Sequence, residues 1–264
     1  MQIFKKTAAA LCAALTVSAA AFAAPLAPEL QIDALAKTAM VYKGWFVLPE
    51  REKNSDVWSY AIADLDHNGR LEVLKVRRGW VEGGPRLLCE ELSADGTRLR
   101  GEVALDHTAV PDLLATSDTS GQALVLYDAE KNLYHYIFKE TVYHTEYESI
   151  TTKYALTFSD GVLHVSPLAH YQWNLSGYEG GVTERYYLPK RGSDVGVEIG
   201  VARYNDIENE EFPGCEVRGV AFWWQSAEAL KHAASLGRLR EALAQSYSSF
   251  ASGGKTESLW NQSE

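Results

Sequence analysis

Oxygen-bearing side chains crowd one short stretch of the chain, Asp64-Leu65-Asp66-His67-Asn68-Gly69-Arg70-Leu71-Glu72, which has the form D-x-D-x-N-G-x-x-E. Calcium is a hard cation that takes roughly six to eight oxygen ligands in flexible geometry. Asp64, Asp66 and Asn68 alternate, so their side chains converge on one point when the loop curls. Gly69 permits the sharp turn, the Arg70 carbonyl adds a backbone oxygen, and Glu72 closes the shell. Three carboxylates so close repel one another, and a divalent cation removes that conflict. The competing reading is a turn in which Asp and Asn accept hydrogen bonds from their own backbone and hold no ion.

Other chemistry-bearing residues are less concentrated. On a strand, His144, Glu146 and Glu148 share one face, a row suited to zinc or acid–base work and equally to solvent, with Tyr143, Thr145 and Tyr147 packing inward. His164 and His170 bracket an apolar run without an evident partner. Cys215 lies in FPGCEVRG, where nothing nearby activates it as a nucleophile. Cys89 and Cys215 form a candidate disulfide in an exported protein, the alternative being two separate buried thiols. The chain contains no G-x-S-x-G, H-E-x-x-H or P-loop motif. Tyr171, Trp173, Tyr178, Tyr186, Tyr187, Trp223 and Trp224 suit either a β core or stacking platforms for glycans.

The acidic loop must be positioned by its flanks. VWSYAIA before it and LEVLKVR after it are rich in β-branched and aromatic residues, which predicts a β-hairpin over 58–77. A helix–loop–helix EF-hand fits poorly, because its closing bidentate Glu would fall on Lys75. The segment resembles the strand-flanked Asp loops of FG-GAP and VCBS repeats, and especially the single such stretch near the start of many exported bacterial proteins. That resemblance implies metal ligation by Asp64, Asp66, Asn68, Glu72 and the Arg70 backbone. It covers 58–77; His67 stands where Gly or Asp is common, and no second copy follows.

Around the hairpin, residues 27–43 space Leu30, Ile32, Leu35, Ala39 and Met40 for an amphipathic helix, with Pro28 in its first turn. About 140 residues of β character follow, punctuated by turns such as Asp95-Gly96, Glu130-Lys131-Asn132 and Asp160-Gly161. The expected strand runs include LYHYIFKETVYHTEYESI (133–150) and VGVEIGVARY (195–204). Ser226 caps a helix through AEALKHAASLGRLREALAQSYSSF, weakened at Gly237. The sum is an α+β fold, mostly an antiparallel β meander arranged as a sandwich, a barrel or an incomplete propeller, with a helix at each end.

Lys5 and Lys6, an Ala-rich apolar stretch and Ala21-Phe22-Ala23 identify residues 1–23 as a cleaved signal peptide of Gram-negative style. A single exported domain is expected over 24–252, with a flexible polar tail over 253–264. The 264 residues carry a formal net charge of −10, and signal cleavage removes two lysines and no acids. A strongly acidic chain excludes nucleic acid as main partner. The lack of a long apolar run after the signal excludes a membrane span. Three Cys exclude a disulfide scaffold, and 46% hydrophobic residues exclude a disordered chain. The expected function is that of a non-enzymatic periplasmic or secreted domain, braced by Ca²⁺, that contacts a protein or glycan at the envelope. The alternative is a secreted glycan- or peptidoglycan-acting hydrolase or glycan-binding module.

Overall fold

The computed structural model describes residues 26–42, 58–77, 86–100, 104–106, 122–159, 161–175, 181–190, 193–233 and 235–252. The expected signal peptide (1–23) and tail (253–264) lie outside them. Described elements run α1 (Pro28–Tyr42), β1 (Trp58–Ala63), β2 (Glu72–Arg77), β3 (Arg86–Glu91), β4 (Ala104–Asp106), β5 (Gln122–Asp128), β6 (Leu133–Thr145) and β7 (Glu148–Ser159). They continue with β8 (Val162–Leu175), β9 (Val182–Lys190), β10 (Ser193–Ile199), α2 (Val201–Glu211), β11 (Glu216–Ala221), β12 (Gln225–Ser226), α3 (Ala227–His232) and α4 (Leu236–Ala251).

The strands form two open sheets, which decides against a closed barrel. The smaller has the order β12-β1-β2-β3, and the larger β10-β9-β8-β7-β6-β5-β11, with β4 beside the start of β8. Pairing is antiparallel except between β4 and β8. Helices cover both outer faces of this pair of sheets, and alternation along the strands explains why. Trp58, Tyr60 and Ile62 of β1 pack with Leu35 and Ala39 of α1 and Leu239 and Leu243 of α4. The intervening Ala61 and Ala63 turn the other way, joining Leu74 and Leu87 against Tyr136, Phe138 and Leu156 of the large sheet. The far face of that sheet, with Leu126, Ile137 and Ala155, is covered by Tyr204 and Ile207 of α2. The buried Ser246 hydroxyl links layers, accepting from Ile62 N (2.9 Å) and donating to the Trp223 carbonyl (2.8 Å).

Three expected elements change. The run 195–204 is not one strand: β10 ends at Ile199, and α2 begins after the Gly200 cap. Tyr204, Ile207 and Glu208 then meet the sheet at helical spacing, a period masked by the preceding alternation. The run 133–150 turns back at Glu146-Tyr147, where Tyr147 N donates to Thr145 Oγ1 at 3.1 Å. Tyr143 and Tyr147 are accordingly 65% and 52% exposed rather than inward-facing, because this hairpin extends beyond the cores. His144, Glu146 and Glu148 therefore straddle a turn and form no single strand face. The C-terminal helix is two helices, each with its own cap: Ser226 Oγ accepts from Ala229 N, and Ser235 Oγ accepts from Arg238 N. Gly237 falls in the first turn of α4 rather than mid-helix.

Candidate metal centre

The acidic loop joins β1 to β2, which pair from Trp58↔Arg77 to Ala63↔Glu72. Asp64 follows the last residue of β1 and Glu72 opens β2, so a carboxylate stands at each end of the loop. Its path uses left-handed backbone at His67 (φ 54°) and Gly69 (φ 82°). The second is a glycine position; at the first, histidine is among the residues that tolerate this region. The His67 ring also lies against Tyr134, tilted by 31° with centroids 3.9 Å apart, which anchors the loop to the inter-sheet core.

One carboxylate oxygen from each of Asp64, Asp66 and Glu72 lies within 4.8 Å of the others. Glu72 is fully buried and Asp64 is 9% exposed. Glu72 Oε2 accepts from Leu65 N (2.6 Å) and Asp64 Oδ2 from Gly69 N (3.1 Å). Their second oxygens, Glu72 Oε1 and Asp64 Oδ1, are buried without a hydrogen-bond partner. Burial pushes the Asp64 carboxyl up to about 6, with Asp66 adding repulsion and the Gly69 and Asn68 N–H groups opposing. Burial lifts Glu72 well above the usual carboxylate range, against the pull of the Leu65 N–H. Asp66 is raised by the same cause.

A neighbouring turn shows the contrast with an Asp that needs nothing more. Asp95 Oδ1 accepts from Ser93 Oγ, Thr97 N and Thr97 Oγ1, and those bonds hold its carboxyl at about 2. The Asp64 loop is of that kind only on its outer side. There Asp66 Oδ1 accepts from Asn68 N (3.2 Å), and Asn68 Oδ1 accepts from Arg70 N (2.7 Å). On its inner side, an ionised Glu72 with one oxygen buried and unpartnered would cost several kcal/mol. Two species relieve that cost: a proton held between Glu72 and Asp64, or a divalent cation. The three carboxylates fit a cation. Asn68 does not offer its oxygen inward; its amide nitrogen donates to Asp66 Oδ2 (2.9 Å) and Glu91 Oε1 (3.2 Å). The Arg70 guanidinium forms an ion pair with Glu91 at 2.5 Å.

Three residues that position the loop carry no local sequence pattern. Gln31 of α1, 2% exposed, donates to the carbonyls of Leu26 and Gly69 and accepts from Leu71 N. The buried Tyr136 hydroxyl donates to the Leu65 carbonyl at 2.6 Å. Glu91, paired with Glu72 across β2–β3, brings a fourth carboxylate beside the cluster and holds Arg70 and Arg100. A cavity of about 290 Å³ opens beside the loop, lined by Asp64, His67, Tyr134, Arg218, Tyr247 and Phe250. Asp64 is the one carboxylate among the described residues lining it, so this cavity presents no facing carboxylate pair of the glycosidase kind.

Cys89 and Cys215 are free thiols and do not form the disulfide considered from sequence. Cys89 is buried in the core between the sheets, whereas Cys215 packs with the core under α2, on the other face of the large sheet. Of the aromatics, Tyr187 is buried, and Tyr171 and Tyr186 stack on each other and lean on Tyr204 of α2. Trp224 stacks on Phe222, leaving Trp223 partly exposed; Tyr178 lies outside the described residues. Among the described residues no helix is long and apolar enough to cross a membrane. In comparisons with family models, curated proteins and solved structures, no match to the chain was found. The likeness to FG-GAP and VCBS loops therefore rests on the loop residues themselves.

Proposed function

We propose that the protein is an exported, non-enzymatic calcium-binding domain of the bacterial envelope or exterior, whose ion braces the β1–β2 hairpin. Asp64, Asp66 and Glu72 supply the carboxylate oxygens, and the Arg70 carbonyl and water complete the shell. The observation that carries this reading is the pair of buried, unpartnered oxygens on Asp64 and Glu72, within a cluster of three carboxylates. Because the two residues stand at opposite ends of the loop, an ion shared between them ties the end of β1 to the start of β2. Bracing the hairpin steadies the smaller sheet, whose two faces pack against α1 and α4 and against the large sheet.

The test is the melting temperature in EDTA, in millimolar Ca²⁺ and in Mg²⁺. At about a hundredfold excess over Kd, binding adds about 2.7 kcal/mol, a rise of roughly 5–10 °C for a domain of this size. Asp64→Ala or Asp66→Ala removes the calcium-specific rise. If calcium leaves the wild type unchanged, and Glu72→Gln melts no lower than wild type in EDTA, a proton holds the pair and the calcium reading is wrong.

A further inference from the structure

A second set of donors lies on the opposite face of the large sheet and shares no residue with the acidic loop. Asp128 ends β5, His135 lies near the start of β6, and Cys215 directly precedes β11. Strand β5 pairs with both neighbours, so Leu126 faces His135 on one side and Val217 on the other. A carboxylate oxygen of Asp128, a ring nitrogen of His135 and Cys215 Sγ thereby come within 4.8 Å of one another.

Each donor is oriented. His135 is 8% exposed, and Phe212, just past α2, stacks on its ring at 4.2 Å. Its Nδ1 lies 2.7 Å from Thr157 Oγ1, which leaves Nε2 for a ligand. Asp128 Oδ1 accepts from the N–H groups of Glu130 and Lys131, both at 3.0 Å. Its Oδ2 is engaged by Lys131 Nζ at 2.8 Å, on a side chain 71% exposed that can swing into water. Cys215 is a free, half-buried thiol, and burial pushes it up rather than down, the opposite of an activated nucleophile.

One sulfur, one imidazole nitrogen and one carboxylate oxygen suit a borderline cation, whereas calcium and magnesium require oxygen throughout. We infer that Asp128, His135 and Cys215 form a binding site for a borderline divalent cation such as Zn²⁺, with Thr157 orienting the imidazole and one coordination position left to water. On binding, the cation takes the place of the thiol proton, which passes to solvent, and displaces the Lys131 ammonium from Asp128. His170 supplies an internal contrast. It makes the same cross-strand bond, Nδ1 to Thr152 Oγ1 at 2.9 Å, but among the described residues belongs to no such cluster of donors.

Cobalt(II) titration of the full chain tests the site. The wild type is expected to develop a thiolate-to-cobalt charge-transfer band at one equivalent, displaced by Zn²⁺. Cys215→Ser abolishes the band, and Thr157→Val, which removes only the orienting hydroxyl, weakens binding by about tenfold or more. His170→Gln and Asp64→Ala leave it unchanged. A readout that needs no variant is alkylation of the native protein, followed at the Cys215 peptide by mass spectrometry, where Zn²⁺ is expected to slow modification at least tenfold. Absence of the band in wild type, its persistence in Cys215→Ser, or an alkylation rate indifferent to zinc each overturns the site.

Discussion

The Asp64 loop and the Asp128 cluster each gather three donor side chains within 4.8 Å, yet they are assembled in opposite ways. The loop takes its carboxylates from nine consecutive positions, and the rest of the fold only clamps it, through Gln31, Tyr136 and Glu91. The cluster takes Asp128 from β5, His135 from β6 and Cys215 from the residue just before β11, and the 80 positions that separate His135 from Cys215 are bridged by the pairing of β11 with β5. Here the oxygen-only donors gather where the sequence is locally acidic, and the mixed sulfur, nitrogen and oxygen set is brought together by the sheet. The two sites also lie on opposite faces of the large sheet, under different helices, so they are expected to respond independently to substitution.

The largest expected effect concerns α2, which holds Phe212 over His135. Lys153 Nζ pairs with Glu208 at 2.7 Å and donates to the Tyr204 carbonyl, all nearly out of solvent. Lys153→Met leaves Glu208 buried without its cation, at about 3–5 kcal/mol, measurable by urea denaturation. Cobalt binding should weaken with it while the calcium-induced rise in melting temperature persists. Loss of both responses would break the comparison, by showing that the two faces are coupled.

Gln31→Leu acts on the other side. It strips partners from Gly69 O and Leu71 N, for about 2–4 kcal/mol in chemical denaturation, and calcium affinity should fall while the cobalt band stays. Tyr136→Phe removes a single bond to the Leu65 carbonyl and should cost about 1–2 kcal/mol, with a smaller loss of calcium affinity by calorimetry. The mildest effect is on pH. Burial holds the His170 imidazole below its ordinary value. The folded state therefore resists protonation: stability is intact above the unfolded value near 6.5 and falls as the pH drops through the window below it. His170→Gln should make that acid limb shallower in denaturation curves collected from pH 7.5 to 5, without touching either metal response.

Much of the scaffold was readable from periodicity. The helix at 28–42, the hairpin flanking the loop, the turns at Asp95-Gly96 and 130–132 and the Ser226 cap follow from spacing and turn chemistry that act within a few residues. The misreadings share one cause. In 195–204 and 133–150 the local alternation continues through a boundary that is set by where the supporting layer ends: α2 begins where a helix can cover Leu126 and Ile137, and the β6–β7 turn stands beyond the cores. Ser235 restarts the last helix with a cap of its own. The disulfide option failed for a related reason, since Cys89 and Cys215 lie on opposite faces of the large sheet, a separation their types and number cannot express.

By itself the sequence determined the acidic loop, its turn at Gly69, the strands on either side and the α+β class, because each depends on bonds and periods that close locally. Only the tertiary structure decided that Asp64 and Glu72 are buried with oxygens unsatisfied, that Asn68 turns its oxygen away from them, and that Gln31 and Tyr136 hold the loop. It also decided that Asp128, His135 and Cys215 meet at all. Burial and cross-strand proximity are properties of packed layers, and spacing along the chain does not encode which distant residues those layers bring together.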